Sequence, residues 1–90
     1  HDDPTLQIVD VRNPSERLAG SLGHDVNLPL PTLLNRLGEL DPQRPTVVYC
    51  AGGYRSATAA SLLRASGFTT VAELLGGYNA DLANPIPATR

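Results

Sequence analysis

Apolar residues run along this chain in two rhythms. Short apolar runs, Leu6-Gln7-Ile8-Val9-Asp10-Val11 and Thr46-Val47-Val48-Tyr49-Cys50, which are β-branched, and Asp25-Val26-Asn27-Leu28-Pro29-Leu30 and Val71-Ala72-Glu73-Leu74-Leu75, alternate with stretches whose apolar residues recur every three or four positions. The runs read as strands and the stretches as helices, and their alternation predicts an α/β domain built on a parallel sheet. Thr46 to Cys50 is the most hydrophobic of the runs and predicts a central strand buried on both faces. The run from Asp25 is short, because its prolines stop it from continuing.

The helical signals are local and specific. Asn13-Pro14-Ser15-Glu16 supplies an N-cap, a proline at the first helical position and an acidic residue three places after the cap, so a short helix opens there and Gly20 closes it. Leu30, Leu33, Leu34, Leu37 and Leu40 predict a second helix, from Pro31, with one apolar face on the sheet and a stop at Asp41-Pro42. Ser56 to Ser66, rich in alanine and leucine, predicts a third, with Gly67 at a left-handed C-cap. Gly76-Gly77 ends the last strand, Tyr78 to Leu82 adds one helical turn, and the tail 84–90 is irregular.

Composition narrows the class. Ninety residues, 41% hydrophobic and 18% charged with a net charge of −2, describe one small globular domain spanning 1–90. All seven cationic residues are arginines, scattered and outnumbered by nine carboxylates, so neither nucleic acid nor a membrane surface is an expected partner. A single cysteine excludes an internal disulfide and a cysteine-rich zinc site, and His1 and His24 stand far apart with no third ligand, so no metal is expected. No apolar run approaches the ~20 residues of a membrane span, and the opening His1-Asp2-Asp3-Pro4 lacks a signal-peptide pattern; the expected location is the cytoplasm. The absence of an initiator methionine suggests a fragment, a processed product or a module of something longer.

Candidate chemistry is concentrated in Cys50-Ala51-Gly52-Gly53-Tyr54-Arg55-Ser56, which carries a thiol from the central strand into the start of a helix. Ligands of open α/β sheets bind at the carboxyl ends of the strands. Two glycines let the backbone curl its N–H groups into an anion-binding nest, and the helix amino terminus favours a thiolate. A cation in the first helical turn opposes the macrodipole, so Arg55 predicts an anion in the bowl, and its guanidinium suits a tetrahedral oxyanion. A cysteine at a strand end also fits a buried small hydrophobe, and Gly-Gly an ordinary turn; the conjunction of strand, cysteine, glycines, arginine and helix is what favours a functional loop.

The sequence resembles the rhodanese family of sulfurtransferases. The matching features occur in order: Asp10-Val11-Arg12, Glu16, Gly20, Asn27-Leu28-Pro29-Leu30, Val47-Val48-Tyr49-Cys50, the loop through Ser56, Gly67-Phe68 and Gly76-Gly77. The resemblance implies a three-layer fold, a parallel sheet flanked by helices, and a cysteine that carries a sulfane sulfur as a persulfide from a donor to a thiophilic acceptor. Cys50 is then the nucleophile, Ala51, Gly52, Gly53, Tyr54, Arg55 and Ser56 the substrate-binding loop, and Asp10 with Arg12 a supporting buried pair. Four residues separate Cys50 from Arg55, one fewer than in the related phosphatases and arsenate reductases, which favours sulfur transfer over phosphate ester cleavage. The partners implied are a small sulfur donor and a thiol or cyanide acceptor, with no cofactor. A non-catalytic module, or a sulfur relay fused to a domain such as a persulfide dioxygenase, is the alternative.

Three departures from the family pattern stand out. Ser21 occupies the slot of a common histidine, so His24 receives no catalytic role, and Asp81 stands where a tryptophan is usual. Four strands are visible where the family has five, and the family's first strand precedes the position of His1. Either this chain starts after that strand or its fold does without it. Glu16 is read as a capping carboxylate, Tyr49 as a core residue, and Tyr54 and Tyr78 as possible pocket walls.

Overall fold

A computed structural model describes residues 5–18, 20–23, 25–51 and 54–74. Strand β1 (Gln7–Asp10) is followed by helix α1 (Pro14–Leu18), strand β2 (Val26–Asn27), a 3₁₀ segment (Leu30–Glu39), strand β3 (Thr46–Tyr49), helix α2 (Tyr54–Ala65) and strand β4 (Val71–Glu73). The four strands form one parallel sheet in the order β2-β1-β3-β4. All four residues of β1 and all four of β3 are buried, as expected of the two central strands. The α/β class read from the sequence is the observed one.

Strand periodicity divides the core between the two faces of the sheet. Val9, Val11, Val48 and Cys50 fall on one face, where they pack with Leu28, Leu33, Ala59, Ala60, Leu63 and Phe68 from the chain around β2, the 3₁₀ segment and α2. Ile8, Val47 and Tyr49 fall on the other, with Leu74, Leu6 and Leu22. Cys50 is thus locked by parity onto the face that carries α2. The polar Gln7 is tolerated in the buried β1 because its amide donates to Asp41 O and Thr46 Oγ1 and accepts from Asp41 N, at 2.8–2.9 Å.

The leucine-rich segment departs from the expected α-helix. It is a 3₁₀ helix broken at Arg36, whose φ and ψ of −119° and 16° are not helical. Three residues per turn align Leu30 with Leu33, and the break resets the phase so that Leu37 and Leu40 rejoin the core. Leu34 falls off that face and is 57% exposed. The other boundaries shift by a few residues: α2 begins at Tyr54 rather than Ser56, and β2 keeps only Val26 and Asn27 of its run.

The ends of α1 and α2 follow their local chemistry. In α1, Asn13 O accepts from the N–H groups of Glu16 and Arg17, Glu16 Oε1 accepts from Asn13 N, and Gly20, at φ 142°, donates to Arg17 O. At the end of α2, Gly67 has φ 97°, Phe68 N donates to Leu63 O and Gly67 N to Arg64 O. These are the two bonds of a Schellman cap, and Leu63 and Phe68 share the core cluster beneath it. The expected turn at Tyr78 to Leu82, the family position of Asp81 and the tail 84–90 lie outside the described residues, as do His1 and His24.

Candidate active site

Topology alone brings the candidate residues to one edge. Asp10 pairs in register with Asn27 and Tyr49, and Val11 N donates to Tyr49 O at 3.0 Å, so the chain leaving β1 and the chain leaving β3 emerge side by side. Cys50 is the first residue beyond β3, 0% exposed and a member of the core cluster on the α2 side. Ala51 follows, Gly52 and Gly53 lie outside the described residues, and α2 starts at Tyr54. The thiol therefore stands close in sequence to the amino terminus of α2.

Arg55 is the second residue of α2, and its partner is a residue of α1. Its two terminal nitrogens donate to Glu16 Oε1 and Oε2 at 2.7 and 2.9 Å. Hydrogen bonding from Arg55, reinforced by Asn13 N, holds the Glu16 carboxyl down at about 2. The anion that offsets a cation in the first turn of α2 is thus supplied by the protein itself. Glu16 does cap α1, but that is only half of its bonding. Ser56 is fully buried and its hydroxyl donates to Glu73 Oε1 on β4 at 3.2 Å, so its side chain is directed to the neighbouring strand.

Asp10 and Arg12 meet as a buried pair behind the loop. Arg12 donates from Nε and a terminal nitrogen to the two Asp10 oxygens at 2.9 Å, and its backbone N–H adds a third bond at 3.0 Å. Hydrogen bonding to Asp10 outweighs burial and raises Arg12 above its usual value. Arg12 also donates to Gly20 O at 2.6 Å and lies 5.3 Å from the centre of the Tyr49 ring, a cation–π contact.

The pair belongs to a larger network that sequence reasoning missed. Arg17 donates to Asp10 Oδ2 at 3.2 Å and to Asp25 Oδ1 at 2.7 Å, while the Tyr49 hydroxyl donates to Asp25 Oδ2 and accepts from Leu22 N. Burial pushes the Asp25 carboxyl up, but the bonds from Arg17 and Tyr49 and the Arg17 charge together bring it below its usual value. Burial first, and then the bond to Asp25, pushes Tyr49 up. Asn27 closes the edge by donating to Asp10 O and Arg12 O at 2.9 and 3.0 Å. Two buried carboxylates, two arginines and a phenol are satisfied together, which fixes the chain that frames the loop.

Elsewhere the surface offers less chemistry. A cavity of about 220 Å³ lies along β1, between Gln7, Val26, Leu40 and Arg44, and among the described residues none of the Cys50 loop lines it. Among the described residues no three metal-ligating side chains cluster, and no helix is long and apolar enough to cross a membrane.

Comparison with known proteins points the same way as the geometry. A family model described as Rhodanese-like domain matches residues 1–84. The chain is 38% identical over 72 residues to the uncharacterized protein YqhL of Bacillus subtilis, covering 80% of this chain and 57% of that one, little more than half the relative's length. It is 31% identical to a sulfurtransferase of Allochromatium vinosum, covering 96% of this chain and 80% of the relative. To the thiosulfate sulfurtransferase GlpE of Shewanella oneidensis it is 37% identical, covering 84% of this chain and 75% of the relative. The Alr3790 protein of Anabaena sp. superposes with a TM-score of 0.86 at 35% identity, over 94% of this chain and 67% of that one. A longer similar protein, the tRNA uridine(34) hydroxylase of Erwinia tasmaniensis, is 32% identical and matches over 23% of its length.

Proposed function

This chain belongs to the rhodanese-like domain family, and we propose that it is a sulfurtransferase working through a persulfide on Cys50. The observation that carries the reading is the position of the thiol: directly beyond the buried central strand β3 and before the amino terminus of α2, at the carboxyl edge of a parallel sheet. Asp10 and Arg12 act as supports, holding the neighbouring β1 exit in place.

The reaction is nucleophilic and covalent. The Cys50 thiolate attacks the outer sulfur of thiosulfate, forming an S–S bond while the bond to the sulfonate sulfur breaks and sulfite leaves with its electron pair. Backbone N–H groups from Ala51 through Gly52, Gly53 and Tyr54 to Arg55 and Ser56 hold the anionic persulfide. A cellular thiol, or cyanide in vitro, then takes the outer sulfur and restores the thiolate. A thiolate formed in advance needs stabilisation rather than a general base, and the acidic neighbours Glu16 and Glu73 are already engaged. A persulfide or polysulfide donor follows the same course, with a thiolate as leaving group.

The cytoplasm suits this chemistry, because a reducing compartment keeps the single cysteine as a thiol. A second reading, a sulfur-relay module within a larger protein, draws on the similarity to a segment of a longer relative. Both readings require sulfur on Cys50. Intact mass after incubation with thiosulfate or a polysulfide should rise by one sulfur atom, revert with cyanide, and stay unchanged in Cys50→Ser; no adduct from any sulfane donor would end the proposal.

A further inference from the structure

The first turn of α2 already presents the partial positive charge of its amide groups, and Arg55 adds a full one beside it. Left to itself this end of the helix would attract the most highly charged anion available. Instead both terminal nitrogens of Arg55 are taken up by the two oxygens of Glu16, in the two-pronged arrangement that satisfies a carboxylate best. The same carboxylate is oriented from its own side, since Glu16 Oε1 also accepts the N–H of Asn13 at 2.9 Å. A negative charge is therefore fixed next to the cation of the candidate loop.

The mounting of Glu16 is also unusual. Helix α1 buries none of its residues. What ties its side chains to the rest of the fold is charge: Glu16 to Arg55, and Arg17 to Asp10 and Asp25. Arg17 ties α1 to Asp10 and Asp25 separately from Glu16, so the charge beside Arg55 can be changed without removing a core side chain.

We propose that Glu16 sets the charge selectivity of the site, favouring singly charged sulfane donors, the class of organic persulfides and thiosulfonates, over the dianion thiosulfate. The inference rests on the sulfurtransferase reading of Cys50 and deepens it by naming the donor class. A donor approaching Arg55 meets a guanidinium whose charge is already compensated and a carboxylate that repels it. The repulsion acts twice on a dianion for each time it acts on a monoanion. At a separation of about 6 Å, with an effective dielectric near 20 and screening at physiological ionic strength, that difference corresponds to roughly tenfold in relative affinity.

The test reads binding, so it needs no turnover. Cys50→Ser, which cannot accept sulfur, is titrated calorimetrically with thiosulfate and with benzenethiosulfonate, a monoanion carrying the same reactive sulfur, with Glu16 intact and with Glu16→Gln. The glutamine keeps the size and an acceptor for Asn13 N and removes the charge. Thiosulfate should bind the glutamine variant roughly a hundredfold more tightly and benzenethiosulfonate roughly tenfold, so that the ratio between the two shifts roughly tenfold, and Glu16→Asp should keep the preference of the parent. An unchanged ratio between the two donors, or a loss of both, overturns the proposal and leaves Glu16 as a support of Arg55. Failure of the sulfurtransferase reading appears separately, as a parent protein that gains no sulfur by mass.

Discussion

Tyr49 donates its hydroxyl to Asp25, across 24 positions of sequence. The bond joins the end of the central strand β3 to the chain entering β2, and the same hydroxyl accepts the N–H of Leu22. Tyr49→Phe removes both at little change in volume. The Asp25 side chain is fully buried, so an acceptor left without this donor is not rescued by water. The expected cost is about 1–3 kcal/mol. Urea unfolding should show a lower midpoint with an unchanged slope, and a variant as stable as the parent would mean that the bond contributes nothing.

The 3₁₀ segment makes a sharper contrast between two adjacent leucines. Leu33 is fully buried and Leu34 is 57% exposed. Leu33→Ala should cost about 2–5 kcal/mol, and Leu34→Ala should fall within about 0.5 kcal/mol of the parent. Equal losses in thermal unfolding would restore the regular amphipathic helix that the leucine spacing suggests.

Gly67 and Gly38 form a second matched pair. A Cβ at either meets nothing within 4 Å, so space is not at issue at either position. Only Gly67, at φ 97°, holds the left-handed conformation of the Schellman cap. Gly67→Ala should therefore lose about 1–2 kcal/mol through backbone strain alone, while Gly38→Ala stays near neutral. Thermal melts of the two variants side by side decide this, and a Gly67→Ala protein that melts with the parent contradicts the assignment of the cap.

The two central strands were legible in the sequence because a strand buried on both faces reads as a run of apolar, largely β-branched residues, as in Ile8-Val9 and Thr46-Val47-Val48; the edge strands β2 and β4, only partly buried, hold one such residue each. The caps of α1 and α2 were legible for the same kind of reason: proline, glutamate and glycine act within one turn. The break at Arg36 was not, since leucines spaced by three and four satisfy an α-helix and a kinked 3₁₀ segment alike. The early start of α2 at Tyr54 escaped as well, because two glycines before it permit a turn of more than one length. The bond from Tyr49 to Asp25 that completes the network with Arg17 is long-range and depends on the order β2-β1-β3, which sets the chain entering β2 near the end of β3. Glu16 shows the limit most clearly: its local role as a cap fully explained it, and its bond to Arg55, 39 residues away, carried no signal along the chain.

Acid stability follows from the carboxylates that the network holds ionised. Glu16 is lowered to about 2 by Arg55 and Asn13, from an ordinary value of 4.5, and Asp25 also lies below its ordinary 3.8. A carboxyl with a depressed folded value gives its full stabilisation above the unfolded value and loses it as the pH falls through the folded one. The protein should thus lose stability progressively from about pH 4.5 down to about pH 2. At alkaline pH the sign is opposite: Tyr49 is raised above its ordinary 10, so its contribution is intact below pH 10 and is lost above it. Denaturant unfolding across the acid range should show a shallower decline for Glu16→Gln, which no longer titrates there, with the remaining slope assigned to Asp25 and Glu39. An acid limb identical to that of the parent would show that the ion pair with Arg55 does not hold Glu16 ionised.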